Sequence, residues 1–454
     1  MKLHRILLIG LVTRILVIPF FAHPFDVYAW YTICESIIQK GPYVVSYFPP
    51  MLFYTFIPIA YLYQWASTSL AIKPTLMSSL PTQLNPYPQF EIEYVPGPIF
   101  NILAKIPFLL ADILLAILLY KLVSGLGLSQ SRAEKAAAIW FLNPYLIWIS
   151  SGWGMFDSLP ALFTIASLYF FSTKRLGMAG ACLAVGVAYK LYPIVFLFPV
   201  ALYFLKGSSN RRIELIKFFS IFLIVSAVLF FPAFGGTWSL SQSLVTGIYE
   251  RAGLGLTYWS ILLTFPSDFQ LVSYLSTILV VLAIVIVCFL LRRLEFENKI
   301  FDLSAASLSL ILAVFLSYRI ICEQFFVWAL PFLIISCIEG RTEEILYRTS
   351  SILALLYSVT NLLFPFFLLP IAPWASDMLL AIISALGIST PKPGAYTPRL
   401  TLGTGTLGIL GTAFSILMLV TVIETLVWPR KRIVKTLLPR KLNELLLKLR
   451  IQVE

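Results

Sequence analysis

The sequence is poor in charge and nearly without histidine. Only 12% of its 454 residues are charged and 59% are hydrophobic, which excludes an ordinary water-soluble domain and points to a polytopic membrane protein. Its two histidines, His4 and His23, nearly exclude a histidine-built metal site. Five cysteines (Cys34, Cys182, Cys288, Cys322 and Cys337) are scattered without C-x-x-C spacing, so neither a disulfide framework nor a zinc site is suggested. No nucleotide-binding fingerprint survives inspection. "GTGTLG" (403–408) matches G-x-G-x-x-G in letters, but no strand precedes it and it lies in an apolar run, where small residues serve close helix packing. Absence of any N-x-S/T sequon and of an obvious retention signal leans toward a prokaryotic cell membrane over an endoplasmic reticulum.

What is present is a series of apolar runs separated by short basic clusters. The formal charge of +12 therefore reports topology under the positive-inside rule and implies no nucleic-acid partner. At ~20 residues per crossing, the candidate spans are 5–22, 99–121, 136–151, 158–172, 176–188, 192–205, 214–232, 270–292, 301–318, 325–338, 349–367 and 400–427. The fold class expected is an all-α polytopic bundle of about twelve transmembrane helices. Arg14 inside the first run and Phe20 near its end argue against signal cleavage after Ala22, so the first helix reads as retained.

A further run, 48–65, holds Pro49, Pro50 and Pro58. If it does not span, both termini are cytoplasmic and most basic residues lie inside, as the positive-inside rule prefers. Residues 23–98 then form one long external segment in which 48–65 is an interfacial or re-entrant helix. Two more external loops, 233–269 and 368–399, read as partly helical. The organisation expected is a single membrane unit over 1–429, followed by a basic amphipathic cytoplasmic tail over 430–454 that lies on membrane lipids.

Ionisable residues at membrane depth are rare and need partners. Arg14 and Asp112 fall at equal depth in the first two spans, which predicts a buried structural ion pair. Lys105, Lys190 and Arg319 fall toward external helix ends and suggest an anion site, with snorkelling to headgroups as the bland alternative. Asp157 in "SSGWGMFDSLP" lies at an external turn, either as a helix cap or in a site. Glu250 and Arg251 read as a surface pair. The external carboxylates also include Asp26, Glu35, Glu91, Glu93, Asp268, Glu323 and Asp377.

Several stretches, in order, resemble one family. "FLNPYLIWISSGWGMFDS" followed by a basic turn and "KLYP", "ILAKIPFLLADILL", and "CEQFFVWALP" match F-x-x-N-P, S-S-x-G-x-x-D-S, K-x-Y-P, G-K-L-x-F-x-x-x-D-L and S-Q-Y-F-x-W of the GPI mannosyltransferases that add the first mannose. The set covers roughly residues 99–338, and "GPYVVSYFPP" is similar to a further motif of their first loop. Prokaryotic polyprenyl-phosphate-mannose transferases are similar too. The resemblance implies a GT-C membrane glycosyltransferase with interfacial helices in its external loops. It implies a dolichyl- or polyprenyl-phosphate mannose donor as substrate, no cofactor or metal, a glycolipid or glycan acceptor, and inverting transfer on the non-cytoplasmic face. It further implies an acid in the first external loop acting as base, a place occupied by Asp26. Where the GPI enzymes carry D-x-D, this chain has Asp26, Val27 and Tyr28, so the acceptor does not carry over.

A carboxylate at the membrane surface suits a general base, and a phosphate leaving group needs cations, for which Lys190, Arg319 and Lys105 are the candidates. Asp157, Gln324 and Tyr28 are candidates for contacting the sugar, with Trp30 and Trp153. The rival readings are a transporter or flippase of lipid-linked sugars, against which stands the lack of inverted self-similarity, and a glycan ligase or polymerase.

Overall fold

The computed structural model describes residues 2–41, 49–85, 92–206, 209–234, 255–262, 269–292, 296, 299–338, 341–362, 364–386 and 403–427. Glu91, Glu250, Arg251, Asp268, residues 42–48 and the tail over 430–454 lie outside these, as does most of 233–269. The described chain is almost wholly helical. Its helices are α1 (Leu3–Val17), α2 (Pro24–Lys40), α3 (Pro50–Ser69), α4 (Pro98–Gly125), α5 (Gln130–Phe141), α6 (Pro144–Leu146), α7 (Ser158–Ser172), α8 (Leu176–Tyr189), α9 (Leu197–Leu205) and α10 (Ser209–Phe234). They continue with α11 (Trp259–Leu262), α12 (Phe269–Leu291), α13 (Lys299–Ser317), α14 (Phe326–Cys337), α15 (Arg341–Asn361), α16 (Ala372–Ala385) and α17 (Gly403–Val427). One small antiparallel ribbon pairs β1 (Thr75–Leu76) with β2 (Tyr94–Val95).

Of the twelve expected spans, part is seen directly. Among the described residues six helices are long and apolar enough to cross a membrane: Pro98–Gly125, Arg212–Phe231, Leu271–Leu291, Ile300–Ser317, Pro365–Ala385 and Thr406–Thr425. Two of the apolar runs counted in the sequence are shorter once folded. The run over 136–151 breaks at Asn143, whose side chain accepts the Tyr145 N–H at 2.9 Å and starts a new turn before Pro144, and α1 stops at Val17. Helices α7 and α8 stay short because they are buried in the bundle, α7 against α4 and α8. In the other direction, Pro365–Ala385 lies largely in the stretch expected as an external loop, yet it has the length and composition of a span.

From Pro50 onward the run over 48–65 falls on α3, a continuous helix that packs along α2, α4, α8 and α10. It is not one of the six. Facing outward, α12 presents Leu275, Ile278, Leu282 and Val285, each more than a third exposed. A contiguous apolar face of that kind is at home in lipid rather than in water. The small residues of α17 serve packing: a Cβ at Gly411 would meet Thr257 O at 2.6 Å. The chain is a multi-pass integral membrane protein.

Candidate active site

The site grows from one irregular loop. After α6 the chain makes a π-helical turn, Ile147–Trp153, and leaves it through Gly154 at φ +93°. Such turns leave carbonyls without intrahelical partners. Lys105 of α4 supplies them: its Nζ donates to Ser151 O at 2.9 Å and Gly152 O at 3.1 Å, and also to Phe21 O and to Ile18 O at 3.5 Å, beyond the end of α1. A cation is favoured at such carbonyl-rich ends. The approach is so close that a Cβ at Gly154 would meet Lys105 Cε at 2.8 Å, and the left-handed backbone there favours glycine as well. Lys105 is fully buried, away from the half-open surroundings expected of a group that binds the donor phosphate. Its three N–H donors are shared among four backbone carbonyls.

On one side of this loop lies Asp112. Arg14 Nε sits 3.2 Å from its Oδ2, with both side chains at 0% exposure. Ser150 Oγ donates to the same oxygen at 2.6 Å and Ser158 Oγ to Oδ1 at 2.5 Å. Arg14 Nη1 also donates to Phe141 O at 2.6 Å. The arrangement ties α1, α4, α5 and α7 together.

On the other side lies Asp26, in the first turn of α2 rather than in an open loop. Helix α2 starts where Pro24 follows His23, because proline at the first helical position has no N–H to leave unpaired. The backbone N–H of His23 donates to Trp153 O at 3.0 Å, and its imidazole stacks on the Trp153 indole at 4.5 Å and 7°. Trp153 Nε1 donates to Asp26 Oδ2 at 2.6 Å, and His23 Nδ1 lies 2.9 Å from that oxygen. The same Nδ1 is 3.4 Å from the Asp26 N–H. The shorter contact decides the tautomer, with the proton on Nδ1. Oδ1 takes no hydrogen bond among the described residues, and the side chain is 19% exposed. Burial pushes the Asp26 carboxyl up, but His23, Trp153 and the charge of Lys190 outweigh it and leave it below the ordinary value. Trp30 Nε1 donates to Gly154 O at 2.9 Å and fastens α2 to the loop.

Lys190 follows the last turn of α8 in extended conformation. Its Nζ is 2.6 Å from Asp157 Oδ1 and lies over the rings of Phe156, Phe325 and Trp328 at 4.6, 5.0 and 5.2 Å. Trp328 Nε1 donates to the same Oδ1 at 2.6 Å, and Tyr192 stacks on the Trp328 indole at 4.3 Å. Asp157 stands at the N-cap of α7 without capping it, so the cap alternative is corrected. Its Oδ2 is buried and has no partner among the described residues. Burial pushes this carboxyl above the ordinary value, against the pull of Lys190 and Trp328.

The structure brings Asp26, Lys190 and Asp157 into one electrostatic group. Arg319 is buried in the loop after α13, four residues before Glu323, and its backbone N–H donates to Ser276 Oγ at 3.2 Å. Gln324, in the 3₁₀ turn Glu323–Phe325, has a buried Oε1 without a partner among the described residues. Tyr28 is two residues past Asp26 and so projects to another side of α2, packing partly against the core. Glu323 was given no role on sequence grounds. It is buried beside His23 and Asp26, and burial pushes its carboxyl up to about 6. Only its adjacency to Gln324 could have drawn attention to it. Among the described residues no group of three or more His, Cys, Asp or Glu side chains is placed to hold a metal ion.

These features define a polytopic helical membrane protein with a half-open carboxylate and a caged ammonium walled by aromatic rings. In sequence it is similar to GPI mannosyltransferase 1 of Saccharomyces cerevisiae, 27% identical over 250 residues that make up 51% of this chain and 59% of that protein. It is also similar to GPI mannosyltransferase 1 of Aspergillus fumigatus, 37% identical over 22% of this chain and 24% of the relative. The GPI alpha-1,4-mannosyltransferase I catalytic subunit of Danio rerio is 27% identical over 37% of this chain and 41% of its own length. At its longest such a match spans little more than half of the relative. No family model matches. These relatives are eukaryotic, which runs against the lean toward a prokaryotic membrane.

Proposed function

We propose that the chain is a mannosyltransferase of the GT-C type. It takes mannose from a dolichyl- or polyprenyl-phosphate donor and passes it, with inversion, to a glycolipid or glycan acceptor on the non-cytoplasmic face, both termini being cytoplasmic. The observation that carries this reading is the Asp26 carboxylate, pinned through Oδ2 by Trp153 and His23 and open at Oδ1. In the reaction, Oδ1 takes the proton of the acceptor hydroxyl as its oxygen attacks the anomeric carbon. The bond from that carbon to the phosphate oxygen breaks, and the phosphate leaves with the electron pair. It needs positive charge rather than a proton. Lys190, whose charge already bears on Asp26, serves that purpose, with Arg319 as a second cation. When Lys190 turns to the phosphate, Asp157 can hold a proton, since burial already favours its neutral form. Gln324 and Asp157 shape the sugar pocket.

The test is incubation of the protein in membranes with radiolabelled dolichyl-phosphate mannose and, separately, a bacterial-length polyprenyl-phosphate mannose. The expected result is a new labelled glycosidic product from at least one donor. Label carried across sealed vesicles without any such product would favour the transporter reading instead.

A further inference from the structure

The site holds a carboxyl that the mechanism above leaves unused. Glu323 enters from the turn before α14, about three hundred residues along the chain from Asp26. Its position is fixed from two sides. Tyr145 Oη donates to its carbonyl at 2.5 Å, and Asn361, the last residue of α15, donates to its Oε1. A few residues further on, Phe367 packs edge-on against both His23 (5.7 Å, 61°) and Trp153 (5.5 Å, 64°), and its carbonyl accepts the Ala22 N–H at 2.8 Å. The segment that anchors Glu323 is thus the one that clamps the imidazole of His23, which lies 2.9 Å from Asp26 Oδ2 and whose charge bears on Glu323 as well.

We propose that Glu323 is a positioning residue of this site, acting with His23 to set the base strength of Asp26; the proposal rests on the reading of Asp26 as the base. Asp26 is surrounded by groups that weaken it as a base, namely His23, Trp153 and Lys190. Such a base needs an opposing influence, because efficiency falls with base strength. A carboxylate nearby supplies it through like-charge repulsion. The charged and titratable groups facing Glu323 are His23, Asp26 and Tyr145, and those facing Asp26 are His23, Lys190, Asp157 and Glu323. Burial, with a smaller push from the charge of Asp26, raises Glu323 to about 6 against the pull of its own backbone, His23 and Asn361. As pH falls through that value Glu323 takes up a proton, the repulsion vanishes, and Asp26 becomes a weaker base.

Two measurements test this. In steady-state transfer assays, wild-type kcat falls about tenfold as pH drops through this window while donor KM holds. E323Q runs flat across the window at the lowered plateau, and E323D, still ionisable, keeps the fall. An E323Q profile identical to wild type overturns the proposal. Difference infrared spectroscopy needs no turnover: a carboxyl C=O stretch titrates in the same window in wild type, is missing in E323Q, and titrates at lower pH in D26N once the like charge is gone. A D26N midpoint equal to wild type overturns the coupling. Lack of any transfer by wild type would remove the mannosyltransferase reading, and the infrared result would still decide the link between Glu323 and Asp26.

Discussion

Two aspartates flank the same loop and are held in opposite ways. Asp112 uses both oxygens, taking Arg14 and Ser150 on one and Ser158 on the other, at 0% exposure. Asp26 takes two donors on a single oxygen and keeps the second open. A charge removed from water must have its lone pairs met or it costs several kcal/mol. Saturation of that kind marks Asp112 as structural. The half-filled shell at Asp26 leaves room for a hydroxyl proton. The cations divide in the same way: Lys105 spends its donors on backbone carbonyls, whereas Lys190 faces one carboxylate and three ring faces.

The sharpest way to break this contrast is to neutralise each acid in turn. D26N should lower kcat by about 10²- to 10⁴-fold, the usual worth of a general base. Its thermal unfolding in detergent should barely move, because the amide still accepts from Trp153. D112N should do the reverse. Leaving Arg14 buried without its partner costs about 3–5 kcal/mol, to be read as a drop in unfolding temperature, while donor KM in surviving protein stays at the wild-type value. Full stability in D112N with lost transfer would erase the distinction.

A smaller effect separates the cations. K190A should raise donor KM about tenfold, the worth of one charge-assisted contact, but it also leaves Asp157 buried without its counter-charge. The double variant K190A/D157N removes that penalty. Stability should recover in the double variant while the KM defect persists. Recovery of both would make Lys190 a structural partner only.

The sequence carried depth better than company. The proximity of Arg14 and Asp112 follows from counting residues along two apolar helices, since each residue adds ~1.5 Å. Lys105 had a readable depth too, but nothing local reveals that the ends of α1 and of the π-helical turn converge on it. Glu323 was hidden for a similar reason: its relation to His23 depends on Asn361 and Phe367, which no periodicity connects to residue 23. Counting spans from hydropathy has a physical limit as well. A helix buried inside a bundle, such as α7, is as apolar as one facing lipid, so hydropathy alone does not tell a short internal helix from a crossing.

The fine structure around Asp112 offers the least of the expected effects and the closest test of saturation. Ser158 is the one hydroxyl shown on Oδ1, whereas Oδ2 has both Ser150 and Arg14. Leu146 O, 2.8 Å from Ser150 Oγ, competes with Asp112 for that one proton. S158A therefore strips one buried carboxylate oxygen of its bond and should cost about 1–3 kcal/mol. S150A leaves Oδ2 with its guanidinium and should cost about 0.5–1.5 kcal/mol. Neither should change kcat, because both hydroxyls lie on the side of the loop away from Asp26's open oxygen. Equal losses in the two variants would mean that the hydroxyls serve helix packing and that Asp112 does not depend on having both oxygens filled.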